Sequence, residues 1–134
     1  MIDYMNAAYI SAQKSGLPAH VNALRHAALG LDLQRADMTL EQAIGVYQGV
    51  RENSYIIAYA FNLAYIERLA RQYQQESVLY VSGGMAALQF LDREYRYQRI
   101  GRLVVSRSIF ACDGDRTETE NGDVLRVIPD SGHV

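Results

Sequence analysis

Gly45 to Val81 constrains the fold of this chain more than any other stretch: Gly45-Val-Tyr47-Gln-Gly49-Val-Arg-Glu52-Asn-Ser54-Tyr55-Ile-Ile, a helical pattern, then Tyr73-Gln-Gln-Glu76-Ser-Val-Leu-Tyr-Val81. After Val46 the apolar period is two. Tyr55, Ile57, Tyr59 and Phe61 fall on one side of an extended segment and Ile56, Ala58 and Ala60 on the other, which predicts a strand covered on both faces. Val46 to Val50 is expected to pair with it through a turn at Arg51-Glu52-Asn53. Asn62 is placed to cap a helix whose Leu63, Ile66, Ala70 and Tyr73 form a buried stripe, with Glu67 and Arg71 spaced for an exposed i,i+4 pair. Val78 to Val81 reads as a further buried strand. This is the pattern of a core. No catalytic triad, metal cluster or complete nucleotide loop accompanies it.

The first third predicts helices. Ile2, Met5, Ala8, Tyr9 and Ala12 recur at three-to-four spacing ahead of a stop at Gly16 and Pro18. A second helix begins at Pro18, with Val21, Leu24, Ala28 and Leu31 along its buried side and Gly30 weakening it. Thr39 with Gln42 three residues on reads as a capping box for a short turn closed by Gly45. Ser82-Gly83-Gly84 admits a hairpin to a strand around Met85–Leu91 or an anion-binding helix start; the missing phosphate-loop lysine favours the hairpin. Strands are expected at Arg99 to Val105 and Val124 to Ile128. The fold class that follows is α+β in a single domain, 1–134, with N-terminal helices and one amphipathic helix on a mostly antiparallel sheet of about five to six strands.

Composition narrows the functional classes. A chain of 134 residues with 49% apolar and 21% charged residues fits one globular domain, and no apolar run nears the roughly 20 residues that cross a bilayer. The first ten residues carry an early acid in place of a secretory pattern, and Cys112 is the one cysteine, so a cytoplasmic location is expected. A formal charge of -2 argues against a generic nucleic-acid binder.

Two clusters stand out by charge. Asp113, Asp115, Glu118, Glu120 and Asp123 surround Arg116 alone, and Thr117 and Glu118 occupy positions where a calcium loop needs a ligand and a glycine, so no metal is expected. The cluster reads as a solvated loop or an acidic partner surface. Before it, Arg93, Arg96, Arg99, Arg102 and Arg107 interleave with Tyr95 and Tyr97, a mixture suited to a protein hot spot or an ordinary solvent face. The binding residues expected are therefore Tyr95, Arg96, Tyr97, Arg99, Arg102, Asp113, Asp115, Glu118 and Glu120. Glu52, Ser54, Gln75 and Glu76 lie near strand ends where polar groups could converge on a pocket. His20 and His26 lack i,i+4 metal spacing, His133 falls in the tail, and Cys112 has no fixed histidine partner. No catalytic residue and no cofactor is assigned.

The pattern Gly-x-Tyr-x-Gly-x-x-Glu-x-Ser-Tyr at 45–55, followed by Tyr-x-Gln-Glu-Ser-Val-Leu-Tyr-Val at 73–81, resembles a family of small uncharacterised proteins of bacteriophages and some bacteria. The resemblance implies a phage accessory protein directed at a host process or defence system. The expected function is non-catalytic binding of an unidentified host or defence protein, with homodimerisation left open. The alternative is a small enzyme or nucleotide- or anion-binding protein with a carboxylate-containing pocket near Glu52 and Glu76.

Overall fold

A computed structural model describes residues 2–58, 62–92, 94–107 and 114–130. In chain order the elements are β1 (Ala7–Ile10), α1 (Ala19–Arg35), β2 (Leu40–Tyr47), β3 (Val50–Ala58), α2 (Leu63–Gln72), β4 (Ser77–Ser82), β5 (Met85–Phe90), β6 (Tyr97–Arg107), β7 (Arg116–Thr119) and β8 (Asp123–Ile128). The strands close into an antiparallel barrel in the order β1-β3-β2-β7-β8-β6-β5-β4. β1 makes the closure: Ala7 pairs with Ala58 of β3 on one side and with Val81 of β4 on the other. Closure removes both sheet edges.

This corrects the α+β expectation of an open sheet with several N-terminal helices. Two helices and eight strands are present among the described residues. The physical reason lies in β1, where all four residues are buried. A strand covered on both faces is a continuous apolar run, and such a run satisfies helical spacing as readily as strand spacing. Ile2, Met5, Ala8, Tyr9 and Ala12 matched a helix for that reason alone. Thr39 and Gln42 likewise mark no helical turn, since Gln42 lies within β2 and pairs with Tyr55. The β2–β3 turn falls at Gln48-Gly49, both with positive φ (50° and 81°), instead of at Arg51-Glu52-Asn53. Glu52 is thereby moved from a turn into a strand.

The barrel generates two cores. Its lumen holds Ala7, Tyr9, Ala43, Ile56, Val81, Ala86, Leu103 and Leu125. Its outer wall at β1, β3 and β4 packs Ala8, Ile10, Tyr55, Ile57 and Val78 against Leu29 and Leu33 of α1 and Ile66, Leu69 and Ala70 of α2. β3 is apolar on both faces, as its pattern predicts, because one face lines the lumen and the other lies under helices. Tyr59, Ala60 and Phe61 lie outside the described residues.

Pro18 precedes α1 as expected, but the buried side is Asn22, Leu29, Gly30 and Leu33. Leu24 and Leu31, expected inside, are 69% and 51% exposed. Gly30 is a contact point and no weakness: a Cβ there would sit 2.3 Å from the Tyr55 hydroxyl oxygen, which donates to the His26 carbonyl at 2.9 Å. Asn62 caps α2 by accepting the Tyr65 N–H. Glu67, expected on the exposed face, is buried. Gly83 and Gly84 form the hairpin turn between β4 and β5, with φ of 56° and 80°, and their N–H groups are taken by Asn6 and Met5 instead of an anion. No helix is long and apolar enough to cross a membrane among the described residues.

Candidate active site at one end of the barrel

The strand registers bring one set of termini together: the ends of β1, β2 and β5 and the starts of β3, β4, β6 and β7. Alternation assigns the lumen side. Counting from lumen-facing Tyr9, Ile56 and Val81, the side chains toward this end are Ser11, Ser54 with Glu52, and Ser77. Gly45 lies opposite Glu52 and pairs with Thr117 on its other side. Small and polar residues thus ring a single carboxylate, while the lumen below is apolar.

Glu52 is half-buried, and burial pushes its carboxyl above the usual glutamate value, an effect partly offset by a hydrogen bond from Ser11. The Ser11 hydroxyl also donates to the Asn53 carbonyl at 2.7 Å, and its one proton cannot satisfy both acceptors.

The frame around Glu52 is stitched by the segment leaving β1. Ser11 accepts the Gln13 N–H, and the Gln13 side chain donates to the Arg51 carbonyl and accepts the Asn53 N–H at 3.0 Å. Gln75 donates its side-chain N–H to the Gln13 and Tyr73 carbonyls. Arg25 of α1 donates to the carbonyls of Ala12 and Tyr73. Two loops and a helix are thereby locked beside the start of β3.

Gln75 also lines a cleft of about 570 Å³, together with Arg71, Gln74, Glu76, Phe90, Leu91, Asp92 and Arg96. Its far wall is the β5–β6 connection. The Arg96 guanidinium lies 4.5 Å from the Phe90 ring centroid and pairs with Asp92 and Glu94. Tyr95 donates its hydroxyl to one oxygen of Glu67, and Tyr80 donates to the other at 3.2 Å. Burial raises the Tyr80 hydroxyl, with Glu67 adding to it; for Tyr95 the bond to Glu67 is the leading cause of an upward shift.

The residues singled out by charge divide between two places. Tyr95, Arg96, Tyr97 and Arg99 stand at or near the cleft end, where Arg99 pairs with Asp130 at 2.9 Å. Arg102 is exposed along β6. The acidic stretch bonds across to the β2–β3 hairpin: Asp115 accepts the Gln48 N–H, Glu120 accepts the Gln42 N–H, and Glu118 is clamped by Arg51 and Arg116, both at 2.8 Å, which lowers its carboxyl. Asp113, Arg93, Cys112 and His133 lie outside the described residues. His26 stacks on Tyr55 with ring centroids 4.2 Å apart. No group of three metal-ligating side chains occurs among the described residues.

Of the four polar residues expected to converge near strand ends, Glu52 and Ser54 stand at the barrel mouth and Gln75 and Glu76 line the neighbouring cleft, so they divide between two places, linked through the bond from Gln75 to the Gln13 carbonyl. Sequence reading missed Ser11 and Gln13, which lay in an expected helix, and Arg71, assigned to an exposed ion pair. Their signal was faint: two polar residues directly after a buried apolar run.

The model of the S-Adenosylmethionine lyase family matches residues 8–124, from β1 into β8. No curated protein matches the chain. The family is one of enzymes, which overturns the expected non-catalytic binder and favours the alternative of a small enzyme.

Proposed function

Because the chain belongs to the S-adenosylmethionine lyase family, we propose that it cleaves a carbon–sulfur bond of S-adenosylmethionine, with Glu52 facing the sulfonium. A lyase breaks that bond without water or an oxidant. The sulfur keeps the bonding electron pair and leaves as a neutral thioether; the carbon fragment either releases a proton to a base or is captured by another group of the same substrate. Three demands follow: attraction of a fixed cation, space beside the attracting charge, and exclusion of water.

The observation that carries the reading is a half-buried carboxylate at the polar mouth of the barrel, above an apolar stretch of the lumen, raised by burial and incompletely hydrogen-bonded. Ionised, it draws a sulfonium into the recess and can accept a released proton. Gly45 opposite Glu52 leaves that side of the recess open. The apolar lumen gives water little to bind.

The resemblance to phage proteins supports the broader setting. An enzyme that destroys S-adenosylmethionine removes the methyl donor of host modification and defence enzymes, so an action against a host process needs no stable protein partner. Incubation of the purified protein with S-adenosylmethionine, followed by mass spectrometry of the thioether released, tests the reading. Glu52→Gln should lower kcat by at least about 100-fold with the fold retained. No consumption by the wild type, or full activity in Glu52→Gln, would refute it.

A further inference from the structure

Glu67 and Arg71 are one helical turn apart on α2, a spacing at which opposite charges ordinarily pair. Here they do not. Both oxygens of Glu67 are taken by the Tyr80 and Tyr95 hydroxyls, and the Arg71 guanidinium lies over the Tyr95 ring, 5.6 Å from its centroid, on the wall of the cleft. In the same cleft Glu76 has no cation at ion-pair distance among the described residues, whereas Arg96 and Asp92 satisfy each other. One guanidinium and one carboxylate are thus left unmatched in a single cleft.

The wall that presents them is built rigidly. Tyr95 holds φ at +50°, an uncommon conformation for an aromatic residue that persists only where surroundings enforce it. The enforcement is visible: Glu67 holds its hydroxyl, and buried Gln89 donates its side-chain N–H to the carbonyls of Tyr95 and Arg96 at 3.2 and 3.1 Å.

An unmatched guanidinium and an unmatched carboxylate lining one cleft are complementary to a zwitterion. We propose that this cleft is an α-amino-acid subsite, in which Arg71 takes the α-carboxylate through its paired N–H groups, Glu76 accepts from the α-ammonium, and Phe90 underlies the aliphatic chain. Resting on the lyase reading, the ligand is the methionyl end of S-adenosylmethionine, and Gln75, which lines the cleft and donates to the Gln13 carbonyl beside Glu52, is the residue that the cleft and the Glu52 frame share.

Equilibrium binding to Glu52→Gln protein, measured by calorimetry, separates the contacts. The probes are S-adenosylmethionine, its decarboxylated analogue and L-methionine. Adding Arg71→Met should weaken S-adenosylmethionine by about 10- to 100-fold and leave the decarboxylated analogue unchanged, with Arg71→Lys intermediate. Glu76→Gln should weaken both, since both keep the amine. Arg71→Met that weakens the two ligands equally, or neither, would overturn the subsite. A wild-type enzyme that consumes no S-adenosylmethionine refutes the lyase reading instead, and Arg71-dependent binding of L-methionine would then leave an amino-acid site standing by itself.

Discussion

Two carboxylates point into the barrel, one near each end, and they have opposite fates. At the end plugged by the residues before β1, Glu41 accepts the Tyr4 hydroxyl on both oxygens, at 2.8 and 3.0 Å, and the Tyr9 hydroxyl bonds the Tyr4 carbonyl. At the open end Glu52 shares one serine proton with a backbone carbonyl. The first has a hydroxyl donor to itself and serves the fold. The second is left wanting a partner, and that is the condition of a group that binds something from outside. Buried charge alone does not mark a site; unmet hydrogen-bonding capacity beside open space does.

The comparison is broken most directly by activity. Glu52→Gln should lose at least about 100-fold in S-adenosylmethionine turnover while Glu41→Gln keeps most of it, and equal losses would erase the distinction. Next in size are core losses. Ile56→Ala in the lumen and Ile66→Ala under α2 should each cost about 2–5 kcal/mol in denaturant unfolding, because both side chains are fully buried. A single coincident transition by separate probes in both variants would show that lumen and outer wall unfold as one unit. Tyr4→Phe should cost about 1–2 kcal/mol by stripping Glu41 of its donor, with activity unchanged.

The smallest effects are in pH. Because folding raises the Glu52 pKa, its contribution to stability is complete below the unfolded-state value and is lost as pH rises through the folded value. Glu52→Gln should therefore flatten the decline in stability toward neutral pH and raise the melting temperature slightly there. Activity runs the other way, since it needs the ionised carboxylate: it should fall with decreasing pH at a point above the ordinary glutamate value of 4.5. Glu118, held down by Arg51 and Arg116, contributes stability above its unfolded-state pKa that is lost as pH falls through the depressed one. Glu118→Gln should remove that acid-side loss in unfolding curves taken from pH 3 to 6, by well under 1 kcal/mol given its exposure.

Part of this architecture was legible in the residues. Asn62 as a cap, Pro18 as a helix start, the Gly83-Gly84 hairpin and the doubly buried β3 all rest on local chemistry, and local chemistry is written locally. The barrel was not legible, because closure depends on which strands share β1, and a four-residue apolar segment carries no record of its two partners. The face of α1 was misread for a related reason: Leu24 and Leu31 keep helical spacing as well as Leu29 and Leu33 do, and only the position of Tyr55 against Gly30 decides between them. At the site, Glu52 and Glu76 were recognisable as carboxylates near strand ends. What Glu67 does to Arg71 was invisible, since it requires tyrosines from β4 and the β5–β6 connection to arrive at one helix.

The placement of β1 also sets an order of events in time. β1 precedes the other described strands, and although β3 is complete at Ala58, its second partner β4 ends only at Ser82, so β1 is held on both sides only once more than half of the chain exists. Contacts between segments this far apart in sequence form slowly, after the loop between them has been closed. Ser11 and Gln13, which shape the surroundings of Glu52, follow β1 directly and settle only when it does. On the lyase reading, a nascent or truncated chain lacking β4, in which the barrel cannot close, should be inert toward S-adenosylmethionine even with Glu52 already synthesised.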